Sequence, residues 1–311
     1  MSSQKGCVKD TTAREIVDSD CVGEITITRD KRETKVFKDL DIRRVKEFML
    51  KDLEVSNISG YIDVACLPNG RIVIADYINS RCCLCSSSQH LSDFKVSSKP
   101  WSVCHIDTNE VAIVLPDENK IQFLRVDDSI EPSGFMKTKR VCVAVVALSR
   151  SEFVFCDTGT ESDKNIYWGV ITEDGREKSC FRFSSGIMHS RTVYLALNSS
   201  KTQVYISCSA TQSVLCFGLN GKIKFEYKIE NSCPKGIELD SQDNVYVVLH
   251  ESSSICLLSP DGRLQQTFSS HIPSFPIALS FKHSSNEFIL TNGSETKRMI
   301  CYVYQLAERL N

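Results

Sequence analysis

The stretch from Tyr61 to Lys95 limits what this chain can become more than any other. It runs Tyr-Ile-Asp-Val-Ala-Cys, Pro-Asn-Gly, Arg-Ile-Val-Ile-Ala, Asp-Tyr-Ile-Asn-Ser, Arg-Cys-Cys-Leu-Cys, a polar Ser-Ser-Ser-Gln-His turn, and Leu-Ser-Asp-Phe-Lys. Four short apolar runs alternate with turn chemistry and leave no room for a helix. Asn69-Gly70 between two apolar runs predicts a β-hairpin with a type I′ turn, which needs positive φ at both central residues. The stretch therefore reads as a four-stranded antiparallel unit. One such sheet exposes both faces and cannot stand alone, so the unit has to recur.

It recurs down the chain. The first hairpin turn of successive units falls near Asn69, Thr108, Arg150, Ser200, Gln242 and Ser284, a step of roughly 40 to 50 residues, the period of a propeller blade. Asp174-Gly175, Asn220-Gly221 and Asp261-Gly262 mark the turn between the third and fourth strands of three units. Two markers at different phases of one period predict an all-β, six-bladed β-propeller. Its blades span about 60–96, 100–136, 141–183, 191–228, 235–268, and 275–305 plus 44–51. The last assignment resolves a conflict. Ile42, Val45, Phe48, Met49 and Leu53 have helical spacing, yet the final unit, Pro276 to Tyr304, supplies only three strands. A fourth strand from Arg44 to Lys51 would close the ring and leave no edge unpaired, so a strand is expected there. Residues 42–311 then form the propeller, and residues 1–41 are a charged linker or the remnant of an upstream region.

Composition excludes several classes. A formal net charge of −2 gives no electrostatic case for DNA or an anionic membrane. The longest apolar run, Val141 to Leu148, is too short to span a bilayer. Met-Ser-Ser-Gln-Lys-Gly lacks the apolar core of a signal peptide, which leads to the expectation of a cytoplasmic protein. The chain has 15 cysteines, an odd number with no pairing pattern, and most fall in predicted strands. They are expected to be reduced core thiols. Cys82-x-x-Cys85 is the sharper pair, but it lies on a strand with no second Cys or His pair beside it, so no metal and no cofactor is expected.

Asp76-x-x-Asn79-x-Arg81, following Ile-Val-Ile-Ala, resembles the core of an NHL repeat. With Lys99-Pro100-Trp101-Ser102-Val103-Cys104 it is similar to the C-terminal propellers of tripartite-motif proteins. The resemblance implies that Asp76 and Asn79 tie the turn between the second and third strands while Arg81 starts the third. It fades along the chain: Pro116-x-x-Asn119 keeps only the asparagine, and His250-x-x-Ser253 keeps neither residue. Tripartite-motif ubiquitin ligases also carry a RING finger, B-boxes and a coiled coil. This sequence has neither rows of Cys/His pairs at zinc spacing nor sustained heptads. The resemblance thus extends to a recognition propeller that selects a partner or ubiquitination substrate, and not to ligase chemistry.

In a four-stranded meander the turns after strands two and four emerge on one face. Those turns hold nine acids (Asp76, Asp117, Glu118, Asp157, Glu161, Asp163, Glu230, Glu251, Glu295) and seven bases (Lys99, Lys137, Lys139, Arg140, Lys164, Lys228, Lys235). The mixed charge argues against the basic plate that RNA binding uses, and RNA stands as the alternative partner. Aromatic and cationic anchors on these loops fit a protein partner, and Tyr77, Trp101, Arg140, His189, Lys235 and Phe275 are the candidates. Trp101 also has a plainer reading, as an opener of the inner strand packed on the next blade. A metal-dependent hydrolase or lyase would need acids or histidines converging on the channel. The inner strands offer only Asp63, His105 and Glu238 in scattered positions, so no catalytic residues are assigned.

Overall fold

A computed structural model describes residues 40–50, 61–159, 165–184, 192–283, 285–293 and 300–308. The proposed linker up to residue 39, the loop holding His189 and the turn landmark at Ser284 lie outside them. Twenty-four strands form six four-stranded antiparallel sheets. The first blade comprises β2 (Tyr61–Cys66), β3 (Ile72–Asp76), β4 (Arg81–Ser86) and β5 (Gln89–Lys95). The second has β6 (Ser102–Asp107), β7 (Glu110–Leu115), β8 (Lys120–Val126) and β9 (Ile130–Lys137). The third has β10 (Cys142–Ala147), β11 (Glu152–Asp157), β12 (Asn165–Thr172) and β13 (Glu177–Ser184). The fourth has β14 (Val193–Leu197), β15 (Gln203–Cys208), β16 (Ser213–Gly218) and β17 (Ile223–Lys228). The fifth has β18 (Pro234–Leu239), β19 (Val245–Leu249), β20 (Ser254–Leu258) and β21 (Leu264–Phe268). The sixth has β22 (Pro276–Phe281), β23 (Glu287–Asn292) and β24 (Ile300–Glu308), and β1 (Leu40–Met49) completes it from the other end of the chain. Each innermost strand packs on its neighbours, and β22 packs on β2, so the ring is closed. No helix among the described residues is long and apolar enough to cross a membrane.

The contested N-terminal segment is a strand, starting four residues earlier than the sequence indicated and ending at Met49. It pairs with β24 from Leu40↔Glu308 to Met49↔Ile300, with a bulge between Arg44 and Lys46. Ile42 and Phe48 are buried while Val45 and Met49 are 48% and 59% exposed. A helix would have put all four on one face. The ladder wins because it satisfies the backbone of β24, which would otherwise be an open edge.

The Asn69-Gly70 turn differs from the expectation. Gly70 has φ +81°, but Asn69 is not left-handed, so this is not type I′. The Gly70 N–H donates to the Leu67 carbonyl and the Leu67 N–H to the Arg71 carbonyl, a type I turn closed by a left-handed glycine. Pro68 at the second position fixes the φ that type I requires. Gly175, Gly221 and Gly262 repeat the same pair of bonds and nearly the same φ.

The core lies between blades, where the middle strands of most sheets bury both faces, β8 being more open. Backbone approach is closest near the axis: a Cβ on Gly236 would lie 2.6 Å from the Cα of Ala278 in the next blade. The strand cysteines fill similar tight spaces. Cys66, Cys104, Cys142, Cys156, Cys208, Cys216, Cys256 and Cys301 are all buried free thiols.

Candidate functional site

The turns after the second and fourth strands share one face, and an aromatic cluster stands where the first two blades meet. Tyr77 follows β3 and Trp101 precedes β6. Their rings meet edge to face with centroids 5.8 Å apart. The Lys99 ammonium sits 4.8 Å from the centre of the Tyr77 ring, close enough for cation–π attraction. Both aromatics are half-buried and Ile78 beside them is exposed. The Trp101 N–H donates to the Val114 carbonyl at 3.0 Å, so Trp101 opens the inner strand and still presents part of its ring at the surface.

The turn beneath this cluster is held by a buried ion pair. Asp76 accepts from the Asn79 N–H at 3.2 Å, the Asn79 amide at 2.8 Å and Arg81 Nε at 2.7 Å. Arg81 opens β4, and its Nη1 lies 2.9 Å from Asp93. Ser80 takes a left-handed φ to complete the turn, and Asn119, Gln212 and Ser253 do so at the equivalent position of three other blades. Register thus aligns Asn119 and Ser253 with Ser80, and not with Asn79 as the motif comparison had them. The conformation therefore repeats where the aspartate and arginine do not. Asp76 and Asp157 are buried, so neither adds negative charge to the surface as the sequence count assumed.

The other candidates occupy separate blade junctions. Arg140 stacks over Tyr167 at 4.6 Å and pairs with Glu177 at 3.3 Å and Asp157 at 3.8 Å. It is a brace between the second and third blades, not the free anchor expected, because acids on the adjoining blade claim its guanidinium. The Lys235 ammonium donates to Thr192 Oγ1 at 2.8 Å. Phe275 is 43% exposed, is held at φ +54°, and lies 5.4 Å from the His250 ring. His189 is outside the described residues. The structure thus brings Tyr77 and Trp101 together and leaves Arg140, Lys235 and Phe275 apart. Lys99 and Ile78 complete the first cluster. Their position in the loops beside Tyr77 and Trp101 was the only signal for them.

Two axial carboxylates come from different blades. Asp63 on β2 accepts from the Ser102 hydroxyl at 2.9 Å, the Val103 N–H at 3.0 Å and the Val64 N–H at 3.0 Å. Burial nevertheless pushes its carboxyl up to about 7. Glu238 on β18 is also raised to about 7, first by burial and then by the charge of Asp63. His105 on β6 meets His283 with ring centroids 4.7 Å apart. Asp63 bonds the second blade through two of its three contacts, and so joins the innermost strands of adjacent blades.

The Cys82-x-x-Cys85 pair is divided by the pleat. Cys82 packs toward the second blade, whereas Cys83 and Cys85 pack toward the sixth. What the sequence reading missed is on the neighbouring strand. The ladder places His90 opposite Cys85 and Asp93 opposite Cys83, and single donor atoms of Cys83, His90 and Asp93 lie within 4.8 Å of one another. Hairpin register, not spacing along the chain, creates that group.

No family model matches the sequence, and no curated protein does. Solved propellers do resemble the structure. A virginiamycin B lyase from Staphylococcus aureus is similar at a TM-score of 0.56 and 13% identity, covering 86% of this chain and 99% of that one. A gluconolactonase from Xanthomonas campestris is similar at 0.60 and 11%, covering 81% and 87%. A chain of a nidogen/laminin complex is similar at 0.55 and 12%, covering 72% and 85%. Enzymes and a protein assembly thus share the scaffold, and identities this low speak to fold alone. The chain is a six-bladed β-propeller.

Proposed function

We propose that this propeller is a non-catalytic recognition module that binds a protein partner through its loop-bearing face. The observation that carries this reading is the Lys99–Tyr77–Trp101 cluster with exposed Ile78 beside it. It combines a half-exposed aromatic pair, a cation and an aliphatic side chain, with Tyr77 and Ile78 held on the braced turn. Such anchors dominate protein interfaces, and a rigid ring presenting loops keeps the entropic cost of binding low. A propeller similar to this one occurs in a complex of nidogen with laminin. In the tripartite-motif setting that Asp76, Asn79 and Arg81 resemble, the partner would be a substrate for ubiquitination performed by other modules. The reading extends to Phe275, whose exposed ring offers a second contact on the same face. RNA is the weaker alternative, because Arg140 and Lys235, two of the cations it would need, are engaged within the protein. A metal-dependent lyase or hydrolase is weaker still: Asp63, the carboxylate such a centre would draw on, already holds two blades together.

Photo-cross-linking from position 78 tests the proposal, with position 128 on the opposite face as the control. Nuclease-resistant protein adducts at 78 and none at 128 are expected. Trp101→Ala should weaken capture about tenfold or more, the range for an aromatic hot spot. Adducts that nuclease removes, or equal yields at both positions, would overturn it.

A further inference from the structure

The outer hairpin of the first blade holds a group of side chains that the recognition reading does not use. Cys83 lies on β4, and His90 and Asp93 lie on β5, which pairs with it. A thiol sulfur, a ring nitrogen and a carboxylate oxygen come within 4.8 Å of one another. We propose that Cys83, His90 and Asp93 bind one zinc-type divalent ion.

Three independent features support the site. The donors are a sulfur, an imidazole nitrogen and an oxygen, the set that zinc accepts, and a fourth tetrahedral position is left to water. His90 is the second feature. Its side chain is only 6% exposed and Nε2 lies 2.9 Å from Asp93 Oδ1, yet Nδ1 is buried without a hydrogen-bond partner. An orphaned buried polar atom is destabilising, because it has given up water and gained no partner. Coordination through Nδ1 would remove that deficit.

Charge is the third feature. Asp76 and Asp93 flank a single buried arginine, Arg81, which pairs with both. Among these three side chains one negative charge is left over. A divalent ion, with the Cys83 thiol giving its proton to solvent, brings the local sum to zero. Access exists, since the Asp93 side chain is 19% exposed while Cys83 is buried. An ion there would pin the hairpin against which β1 closes the ring.

The test is titration of the metal-stripped, reduced full chain with Co²⁺, which reports its own ligands. One equivalent should give visible bands of a tetrahedral site and a near-ultraviolet thiolate charge-transfer band, and Zn²⁺ should displace both. Cys83→Ser should abolish the charge-transfer band, and His90→Gln should weaken binding by at least the roughly 10–100-fold that loss of an outer-shell partner costs. Cys256→Ser, a buried cysteine of the fifth blade, should leave the spectrum unchanged. Far-UV circular dichroism establishes that each variant folds. If Cys83→Ser does not fold, His90→Gln decides alone. Absence of the charge-transfer band in the parent chain, or unchanged spectra in a folded His90→Gln, would overturn the site without touching the recognition proposal.

Discussion

Single glycines show how local conformation and packing between blades are separable. Gly70 and Gly221 close the same kind of turn at the same φ of +81°, so each carries the same backbone strain if replaced. Their surroundings differ. A Cβ on Gly70 meets nothing within 4 Å, whereas one on Gly221 would lie 2.4 Å from the Phe181 ring of the preceding blade. Gly70→Ala should therefore cost about 1 kcal/mol, the price of left-handed φ alone. Gly221→Ala should cost about 2–4 kcal/mol, because the aromatic ring must also move. Urea unfolding of the two variants measures the difference, and equal losses would mean that Phe181 yields freely.

Elements were more legible in the sequence than side-chain partners. Turn residues recur with the blade period because every blade must reverse at the same places, and Asp174-Gly175, Asn220-Gly221 and Asp261-Gly262 therefore marked real turns. The engagement of Arg140 by Glu177 and Tyr167 was invisible, since those residues lie more than 25 positions away and meet it only across a blade junction. The group of Cys83, His90 and Asp93 was hidden for a related reason: it depends on the register of β4 against β5. The Tyr77–Trp101 pair was named residue by residue, but its edge-to-face contact depends on the twist between two blades. β1 lies between these cases, because its spacing favoured a helix and ring closure favoured a strand. The two assignments make different predictions. In the strand Phe48 is buried and Val45 is 48% exposed. Phe48→Asp should cost more than about 3 kcal/mol by burying a charge against the closure of the ring, and Val45→Asp should stay within about 1 kcal/mol. Comparable losses at both positions in thermal melts would contradict the strand's inward and outward faces.

At the scale of the whole molecule, the ring brings charges from distant parts of the chain onto one axis. Asp63 and Glu238 belong to the first and fifth blades and are each raised to about 7, chiefly by burial. In the unfolded chain they would ionise near pH 4. Between about pH 4 and pH 7 the folded state therefore holds protons that the unfolded state has released. Stability from these groups is greatest below the unfolded values and falls as pH rises through 7. Glu238→Gln removes one such proton. The variant should gain on the parent between pH 4.5 and pH 8 by about 1–3 kcal/mol, less than the full shift because Glu238 keeps partial exposure to solvent. Asp63→Asn should gain less, since the amide loses an acceptor that holds Ser102 and Val103 of the next blade. Paired denaturation curves at the two pH values give the answer. A constant gap between parent and Glu238→Gln would show that the channel hydrates Glu238 well enough to ionise normally. A gap that widens with pH would show that the folded ring holds the Glu238 proton well above the ordinary carboxylate range.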